Sequence, residues 1–254
     1  MRPTLDAVTR DAREVGGAWR THQRHELPPV PADLAPWVER FWAVTWDYAE
    51  PYRQLVVPTP NVHLTFRSGR ATVTGIATTH QHRTLEGRGS VLGVAFRPGW
   101  FRPLLGRAVS TLTDTTVDAA DVLHRDVPDV RHADALAGFL RSVLPAPDPR
   151  SALAADAVAA VATDPGLTTV RDLAAHLSLS TRHVQRLFAE YVGAGPKWVI
   201  RLHRLREVTE RLDAGAQVRW AALADELGYA DQAHLTRDFR AMFGESPTRY
   251  AQRY

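Results

Sequence analysis

The sequence of 254 residues contains no cysteine, which excludes disulfides, thiolate-bound metal centres and cysteine nucleophiles. It has no run of about 18 apolar residues, so we expect no membrane-spanning helix. Residues 1–17 interrupt every short apolar stretch with charge and lack the apolar centre of a signal peptide. We therefore expect a cytoplasmic protein.

Lysine is almost absent as well, because Lys197 is the single lysine among 31 basic residues. Residues 1–165 carry 18 arginines and 18 acidic residues. Residues 166–254 carry 13 basic and 10 acidic residues, which accounts for the whole net charge of +3. The excess positive charge lies in the C-terminal third and is a weak indication of a polyanionic partner.

A domain boundary is indicated at residues 145–149, where three prolines in five residues favour an extended connector. Before it, aromatic and β-branched segments alternate with glycine and proline at hairpin-like spacing, which is typical of antiparallel strands. The strand-like segments are residues 41–46, 54–58, 61–66, 71–76 and 89–96. Residues 129–144 show helical periodicity instead.

After the prolines, nearly every segment has helical spacing and short turns between segments. The predicted helices are residues 151–163, 169–177, 181–191, 196–212, 220–227 and 231–243. We predict an α+β protein with a β-rich domain at 1–144, a proline-rich linker at 145–150 and an all-α domain at 151–254.

The all-α domain contains an internal repeat. His183-Val-Gln-Arg-Leu-Phe188 aligns with His234-Leu-Thr-Arg-Asp-Phe239 at an offset of 51 residues. Upstream, Leu173-Ala174 aligns with Leu223-Ala224 at an offset of 50, and the one-residue difference falls in the turn. The pattern predicts one helix–turn–helix unit that occurs twice.

The turns of the two units differ in sequence. Gly228 supplies a tight turn in the second unit, whereas Ser178 stands at that place in the first. The hydroxyl of Ser180 is suited to cap the helix that follows.

Polar side chains remain outward on the second helix of each unit once the apolar residues are buried. They are Arg182, Gln185 and Arg186 in the first unit, and Gln232, Ala233, Thr236 and Arg237 in the second. Arginine and glutamine pair bidentately with guanine and adenine edges in the major groove, whereas an ordinary solvated face carries more Glu and Lys. Paired short helices are common in proteins that do not bind DNA, but two units in register on a basic segment favour double-stranded DNA as the partner.

The stretch from Leu223 to Tyr250, including Gly228-Tyr229 and Phe243-Gly-Glu-Ser-Pro247, resembles the signature of AraC/XylS-type transcription regulators. The resemblance covers residues 150–254 and implies two helix–turn–helix units joined by one long helix at 196–212. At ~1.5 Å per residue this helix is roughly 25 Å long. It would place two recognition helices in successive major grooves, roughly 34 Å apart, so that one chain reads the site without a dimer.

Residue roles follow from the same resemblance. The seven outward residues named above match the family's base-contacting positions, with Ala233 limited to a thymine methyl. The resemblance also makes Ser180, Thr181, Lys197 and Arg201 candidate phosphate contacts. His183 and His234 occupy equivalent places, where packing or a phosphate contact is favoured over base readout.

The first half resembles a β-rich domain found on some AraC-type proteins, chiefly through Gly93-Val-Ala-Phe-Arg-Pro-Gly99. Such domains bind small effectors or mediate dimerisation. The aromatic residues fit either an effector pocket or an ordinary core. The candidate effector-binding residues are Trp42, Trp46, Phe66, Phe96 and Arg97, the last with Asp114 as an alternative partner.

His80-Gln-His82 with Glu86 resembles part of a cupin metal motif. Gly75 is one residue out of register with that motif and no second motif follows, so we expect an exposed polar hairpin, with no metal and no cofactor.

These observations together predict a transcription regulator, with activation and repression both left open. The alternative is an N-terminal enzyme or repair module targeted to DNA, although no G-x-S-x-G, H-E-x-x-H or P-loop pattern occurs. A third possibility is a first half that only forms a homodimer or meets RNA polymerase.

Overall fold

The computed structural model describes residues 22–213 and 218–251, without the side chain of Asp213. Residues 1–17, on which the expectation about a signal peptide rests, lie outside this range. Among the described residues, no helix has the length and apolar character that crossing a bilayer requires.

Six antiparallel strands form one sheet in the N-terminal half, in the order β1-β2-β5-β3-β4-β6. The strands are β1 (Gln23–Glu26), β2 (Val38–Val56), β3 (His63–Arg67), β4 (Arg70–Thr74), β5 (Gln81–Phe96) and β6 (Thr116–Asp118). Consecutive strands β3 and β4 form a tight hairpin, whereas β2 and β5 pair although they are distant in sequence. The β-rich first half predicted from the sequence is therefore confirmed.

The long strand β2 replaces the two strands predicted at 41–46 and 54–58. It pairs with β5 over its length, and the register shifts between Tyr48 and Tyr52. Gly87 of β5, at φ +53°, lies opposite Tyr48 beside this shift. Because β3 also pairs with β5 and follows β2 after a short connection, the β2–β5 ribbon must fold back on itself. We call its outer part, residues 52–56 and 80–85, the roof ribbon.

The two faces of the sheet differ in what covers them, since side chains alternate along a strand. Phe41, Leu64 and Phe96 lie on the face that packs against helices and are almost fully buried. Those helices are α1 (Arg102–Leu105), a 3-10 helix (Val109–Leu112), α2 (Ala119–Leu123) and α3 (Ala133–Val143). The opposite face carries Trp42 and Trp46 and lies under the roof ribbon.

The C-terminal half is helical, as predicted. Its elements are α4 (Pro149–Thr163), α5 (Val170–His176), α6 (Thr181–Leu187), a π-helical turn (Phe188–Val192), α7 (Pro196–Asp213), α8 (Trp220–Glu226), α9 (Gln232–Phe243) and α10 (Pro247–Ala251). The predicted helix at 181–191 is thus an α-helix followed by a π turn. Residues 144–148 separate α3 from α4, and Asp148 caps α4 by accepting a hydrogen bond from the amide of Arg150.

One apolar core joins the two helix–turn–helix units, and it extends into the N-terminal half. Leu173 and Val184 of the first unit and Leu235 of the second belong to it together with α7. Val57 and Ile76, from the loops beside the roof ribbon, are buried in the same core. The two halves therefore pack directly against one another.

Candidate functional site

The first helix–turn–helix unit consists of α5 and α6. Val184 of α6 is completely buried, whereas Arg182, Gln185 and Arg186 are exposed. Ser180 caps α6, because its hydroxyl accepts a hydrogen bond from the amide of His183 at 3.2 Å. The side chains predicted to face outward therefore do so, on a helix that is anchored from beneath.

The entry into α5 is fixed by a capping box between Thr169 and Asp172. The Asp172 carboxylate accepts hydrogen bonds from the hydroxyl and amide of Thr169, and these bonds lower the pKa of Asp172. The carboxylate is thus held ionised at the start of the helix, where the helix dipole favours negative charge.

The second unit consists of α8 and α9 and repeats this arrangement. Leu235 and Phe239 are buried, while Gln232, Ala233 and Arg237 are exposed. The remaining outward candidate, Thr236, is half-buried. Asp231 caps α9 by accepting a hydrogen bond from the amide of His234 at 2.6 Å.

The two turns adopt the same backbone conformation in spite of their different residues. Ser178 has φ +54° and Gly228 has φ +67°, both in the left-handed region. Beside Gly228, the Arg204 guanidinium lies 4.3 Å from the centroid of the Tyr229 ring, and burial raises the pKa of Tyr229. The cation–π contact between Arg204 and the neutral Tyr229 ring therefore stabilises the second turn.

The candidate phosphate contacts have different surroundings. Ser180, Thr181 and Lys197 are exposed, and Lys197 lies at the start of α7. Arg201 is half-buried, and its Nη1 lies 3.6 Å from Oδ1 of Asp238 on α9. Arg201 thus links α7 to α9 and is less available to DNA than Lys197.

The carboxylates near α9 already have other partners. Asp238 faces Arg201, and its Oδ2 lies 3.9 Å from His234, whose ring packs edge-on against Tyr229. Within the described residues, neither Arg186 nor Arg237 forms an ion pair. His183 is exposed, so the two histidines of the repeat have unlike surroundings.

A cavity of about 610 Å³ lies between the sheet and the roof ribbon. Trp42 and Trp46 line it from β2, opposite Gly93 and Gly89 of β5. A Cβ added at Gly93 would collide with the Trp42 ring, and one at Gly89 would collide with the Trp46 ring. Both indoles rest directly on the β5 backbone because these two positions are glycine.

Polar groups line the rest of the cavity. Thr65 and Thr72 share a hydroxyl–hydroxyl hydrogen bond of 2.9 Å. The Arg67 guanidinium lies 4.8 Å from the centroid of the Trp46 ring, and Arg70 and Arg83 also line the cavity. Sequence reasoning missed these residues, although Thr65, Arg67, Arg70 and Thr72 alternate with buried Leu64, Phe66, Ala71 and Val73.

The structure divides the predicted effector-binding residues. Trp42 and Trp46 line the cavity, but Phe66 and Phe96 pack on the opposite face, against the helices. The prediction that all four meet in one pocket is not supported, because neighbouring strands place them on different faces. Arg97 is exposed and donates a hydrogen bond to the Ala35 carbonyl at 2.7 Å.

Asp114, the alternative partner of Arg97, is occupied elsewhere. Its carboxylate accepts hydrogen bonds from the amide of Thr78 at 2.6 Å and from the hydroxyl of Thr78 at 2.7 Å.

The histidine pair that resembles a metal motif contacts the second helix–turn–helix unit. Nδ1 of His80 lies 3.0 Å from the carbonyl oxygen of Ala241, and the rings of His80 and His82 meet edge-on. Partial burial, with Arg53 and His80 nearby, lowers the pKa of His82. In the described part of the chain, no three metal-ligating side chains come together.

The roof ribbon touches the end of α9 at a second place. A side chain at Gly244 would lie 3.0 Å from Cδ1 of Leu55 and 3.2 Å from Cδ2 of His80. Trp198 of α7 donates from Nε1 to the Thr78 carbonyl at 2.8 Å. The second unit is therefore seated on the ribbon that covers the cavity.

The first unit contacts the N-terminal half through its π turn instead. Glu190 accepts a hydrogen bond from Nε of Arg102 at 2.5 Å, and the hydroxyl of Thr113 donates to the carbonyl of Gly193. A side chain at Gly193 would lie 2.8 Å from Cγ1 of Val109.

Two known families match parts of this chain. Residues 173–253 match the family described as "Helix-turn-helix domain", and residues 25–118 match a "Domain of unknown function (DUF6597)". The paired units and the first match define a DNA-binding transcription regulator. Its C-terminal domain is a helix–turn–helix domain of the AraC type.

Solved structures from two bacteria have some similarity to this chain, and no curated protein matches. The C-terminal domain of AraT from Geobacillus stearothermophilus is 18% identical, over 43% of this chain and 89% of its own, with a TM-score of 0.37. ToxT from Vibrio cholerae is 10% identical, over 91% of this chain and 98% of its own, with a TM-score of 0.39. Wild-type ToxT bound to an unsaturated fatty acid is 10% identical, over 91% of this chain and 95% of its own, with a TM-score of 0.38.

Proposed function

We propose that α6 and α9 are recognition helices that enter two major-groove segments of one DNA site. The base-reading residues are Arg182, Gln185 and Arg186 on α6 and Gln232, Ala233, Thr236 and Arg237 on α9. The observation that carries this proposal is the matched placement of Arg186 and Arg237. Each is exposed above a buried apolar row at the same position of the repeat, and within the described residues neither is neutralised by an acid.

The backbone contacts hold the helices in register but carry no sequence information. Lys197, exposed at the start of α7, is the principal phosphate contact in this proposal, and Ser180 and Thr181 at the start of α6 are others. Arg201 is the weaker candidate because Asp238 neutralises part of its charge.

One chain carries both recognition helices, so binding needs no second copy. In this proposal neither a homodimer nor a contact with RNA polymerase is required for reading the site, and either contact would serve regulation only.

The cavity supplies the response to a small effector in this proposal. Gln54 and Val56 of the roof ribbon line the cavity, and Leu55 between them packs on Gly244 at the end of α9. A ligand that changes the position of the ribbon therefore acts on the seat of the second recognition helix. Effector binding and the orientation of α9 become coupled through this one element.

The test is selection of bound duplexes from random double-stranded DNA by the full chain. We expect a site with two sequence elements whose centres are about 10 base pairs apart, one helical turn. The double variant Arg186→Ala/Arg237→Ala is the matched control and should enrich no such site. Enrichment of one element alone, or of none by the unmodified chain, would refute the proposal of two reading helices.

A further inference from the structure

We infer that the cavity takes a planar, ring-bearing anion, with its ring on Trp42 and its anionic group on Arg67 and Arg70. The inference rests on the proposed effector role of the cavity and specifies the chemistry of the ligand.

Trp42 is the stacking surface. One face of its indole lies on the backbone of Gly93, and the ring forms an edge-to-face contact with His63 at a centroid distance of 6.0 Å and an interplanar angle of 72°. The ring is half-buried and lines the cavity, so part of its surface is available to a guest. A flat ring gains more binding free energy on such a surface than a puckered ring of equal size, because offset stacking requires two planar rings.

Trp46 has a different role, since both of its faces are covered. Gly89 lies beneath its ring, and the Arg67 guanidinium lies over it at 4.8 Å. Only 4% of Trp46 is exposed. Trp46 therefore acts as a support that holds Arg67 at the cavity, which reduces the entropy lost when Arg67 binds an anion.

The positive charge at this place is not matched by acids. Arg70 is the cross-strand partner of Arg67 across the β3–β4 hairpin, and Arg83 approaches from the roof ribbon. Within the described residues, none of the three arginines forms an ion pair. The cavity's two carboxylates, Glu26 and Asp118, belong to the edge strands β1 and β6, and Asp118 also accepts a hydrogen bond from the amide of Ala120.

Hydroxyl groups complete the site. Thr65 lies opposite Gly93 on the neighbouring strand, beside the Trp42 platform, and its hydroxyl pairs with that of Thr72. The Thr65 hydroxyl also donates to the Thr72 carbonyl at 3.5 Å, so with Thr65 as the donor of the pair the Thr72 hydroxyl keeps its proton for an acceptor on the ligand. Such a wall suits a ring that carries an oxygen substituent.

The experiment is calorimetric titration of the full chain with three matched probes. They are naphthalene-2-carboxylate, the neutral naphthalene-2-methanol, and the saturated decahydronaphthalene-2-carboxylate. We expect the first to bind about tenfold more tightly than the alcohol, since charged hydrogen bonds are stronger than neutral ones. Its affinity should also be about threefold or more higher than that of the saturated acid, because the saturated ring cannot stack on Trp42.

Two variants separate the two contributions. Arg67→Gln should reduce the preference for the carboxylate over the alcohol, with Arg70 supplying what remains, and should keep the preference for the flat ring. Arg67→Lys should restore part of the first preference. Trp42→Leu should abolish the preference for the flat ring over the saturated ring and keep the preference for the carboxylate over the alcohol. The controls are Arg88→Gln, an exposed arginine of β5 that pairs with Asp47, and Trp37→Leu, which lies beside Trp100 outside the cavity lining.

Binding of the alcohol as tightly as the carboxylate, binding of none of the probes, or an unchanged preference in Arg67→Gln would each overturn the inference. DNA selection by the free chain distinguishes this failure from that of the proposed function. A chain that selects a two-part site but binds no probe refutes only the ligand chemistry, whereas a chain that binds the probe but selects no DNA refutes the proposed regulator.

Discussion

The two helix–turn–helix units share a backbone but present different side chains to the outside. The first unit offers two arginines and one glutamine on α6, whereas the second has Ala233 where the first has Arg182, and Thr236 where the first has Gln185. Only the arginines Arg186 and Arg237 match. The first unit therefore has three exposed side chains suited to bidentate base contacts, whereas the second has two, Gln232 and Arg237.

Their attachment to the N-terminal half also differs. The first unit is fixed through its π turn to α1 and the 3-10 helix. The second is seated on the roof ribbon through Leu55 and His80. The unit with fewer exposed arginine and glutamine candidates is thus the one that packs against the wall of the cavity.

The largest expected effect comes from removing the matched arginines. Arg186→Ala and Arg237→Ala should each weaken binding to the selected site by ~1–3 kcal/mol, because each loses a bidentate base contact. Arg237→Ala should leave Gln232 as the one bidentate reader of its half-site, whereas Arg186→Ala should leave two, Arg182 and Gln185. The loss of base preference should therefore be larger in the half-site of the second unit. Binding titrations against the site and two half-site-scrambled duplexes measure this, with the exposed Arg88→Ala as control.

Equal losses on specific and scrambled duplexes would reassign both arginines to the phosphate backbone. If both half-sites relaxed to the same extent, the proposed difference between the units would be wrong.

A smaller effect is expected at the two turns. Ser178→Gly should stabilise the chain by about 0.5–1 kcal/mol, since glycine adopts positive φ without strain. Gly228→Ala should cost about 1 kcal/mol or more, because the new Cβ is strained and lies 3.3 Å from Nη2 of Arg204. Urea unfolding of the full chain measures both changes.

The matched control at the turns is Gly195→Ala, where a Cβ meets no atom within 4 Å. A stability gain from Ser178→Gly no larger than the change at Gly195 would show that the serine turn is unstrained.

The smallest effect concerns the phosphate contact proposed for Lys197. Lys197 corresponds to Thr248 in the repeat, and both are exposed. Lys197→Thr should weaken binding to all duplexes alike and lower the slope of log K against log salt by about one, since one phosphate contact is lost. Thr248→Lys should raise that slope. Titrations at several salt concentrations measure it, and a loss confined to the specific site would identify Lys197 as a base reader instead.

Local sequence was sufficient for the helical half. The repeat, the helix starts at Ser180 and Asp231 and the outward position of Arg186 and Arg237 all follow from spacings within one turn of helix or one repeat. Ser178, which replaces the expected glycine, still fits the predicted turn, because its backbone adopts the same left-handed conformation as that of Gly228.

The cavity required the tertiary structure. Period-two alternation in the strands indicates that Trp42 and Phe66 have defined faces, but it does not say which faces of neighbouring strands coincide. That is decided by the pairing of β2 with β5, whose residues are far apart in sequence, and by the bend near Gly87. The two helix–turn–helix units are therefore predictable from the sequence, because their signals are local. The shared cavity of Trp42 and Arg67 is visible only in the tertiary structure, since it depends on long-range strand pairing and on the fold of the roof ribbon.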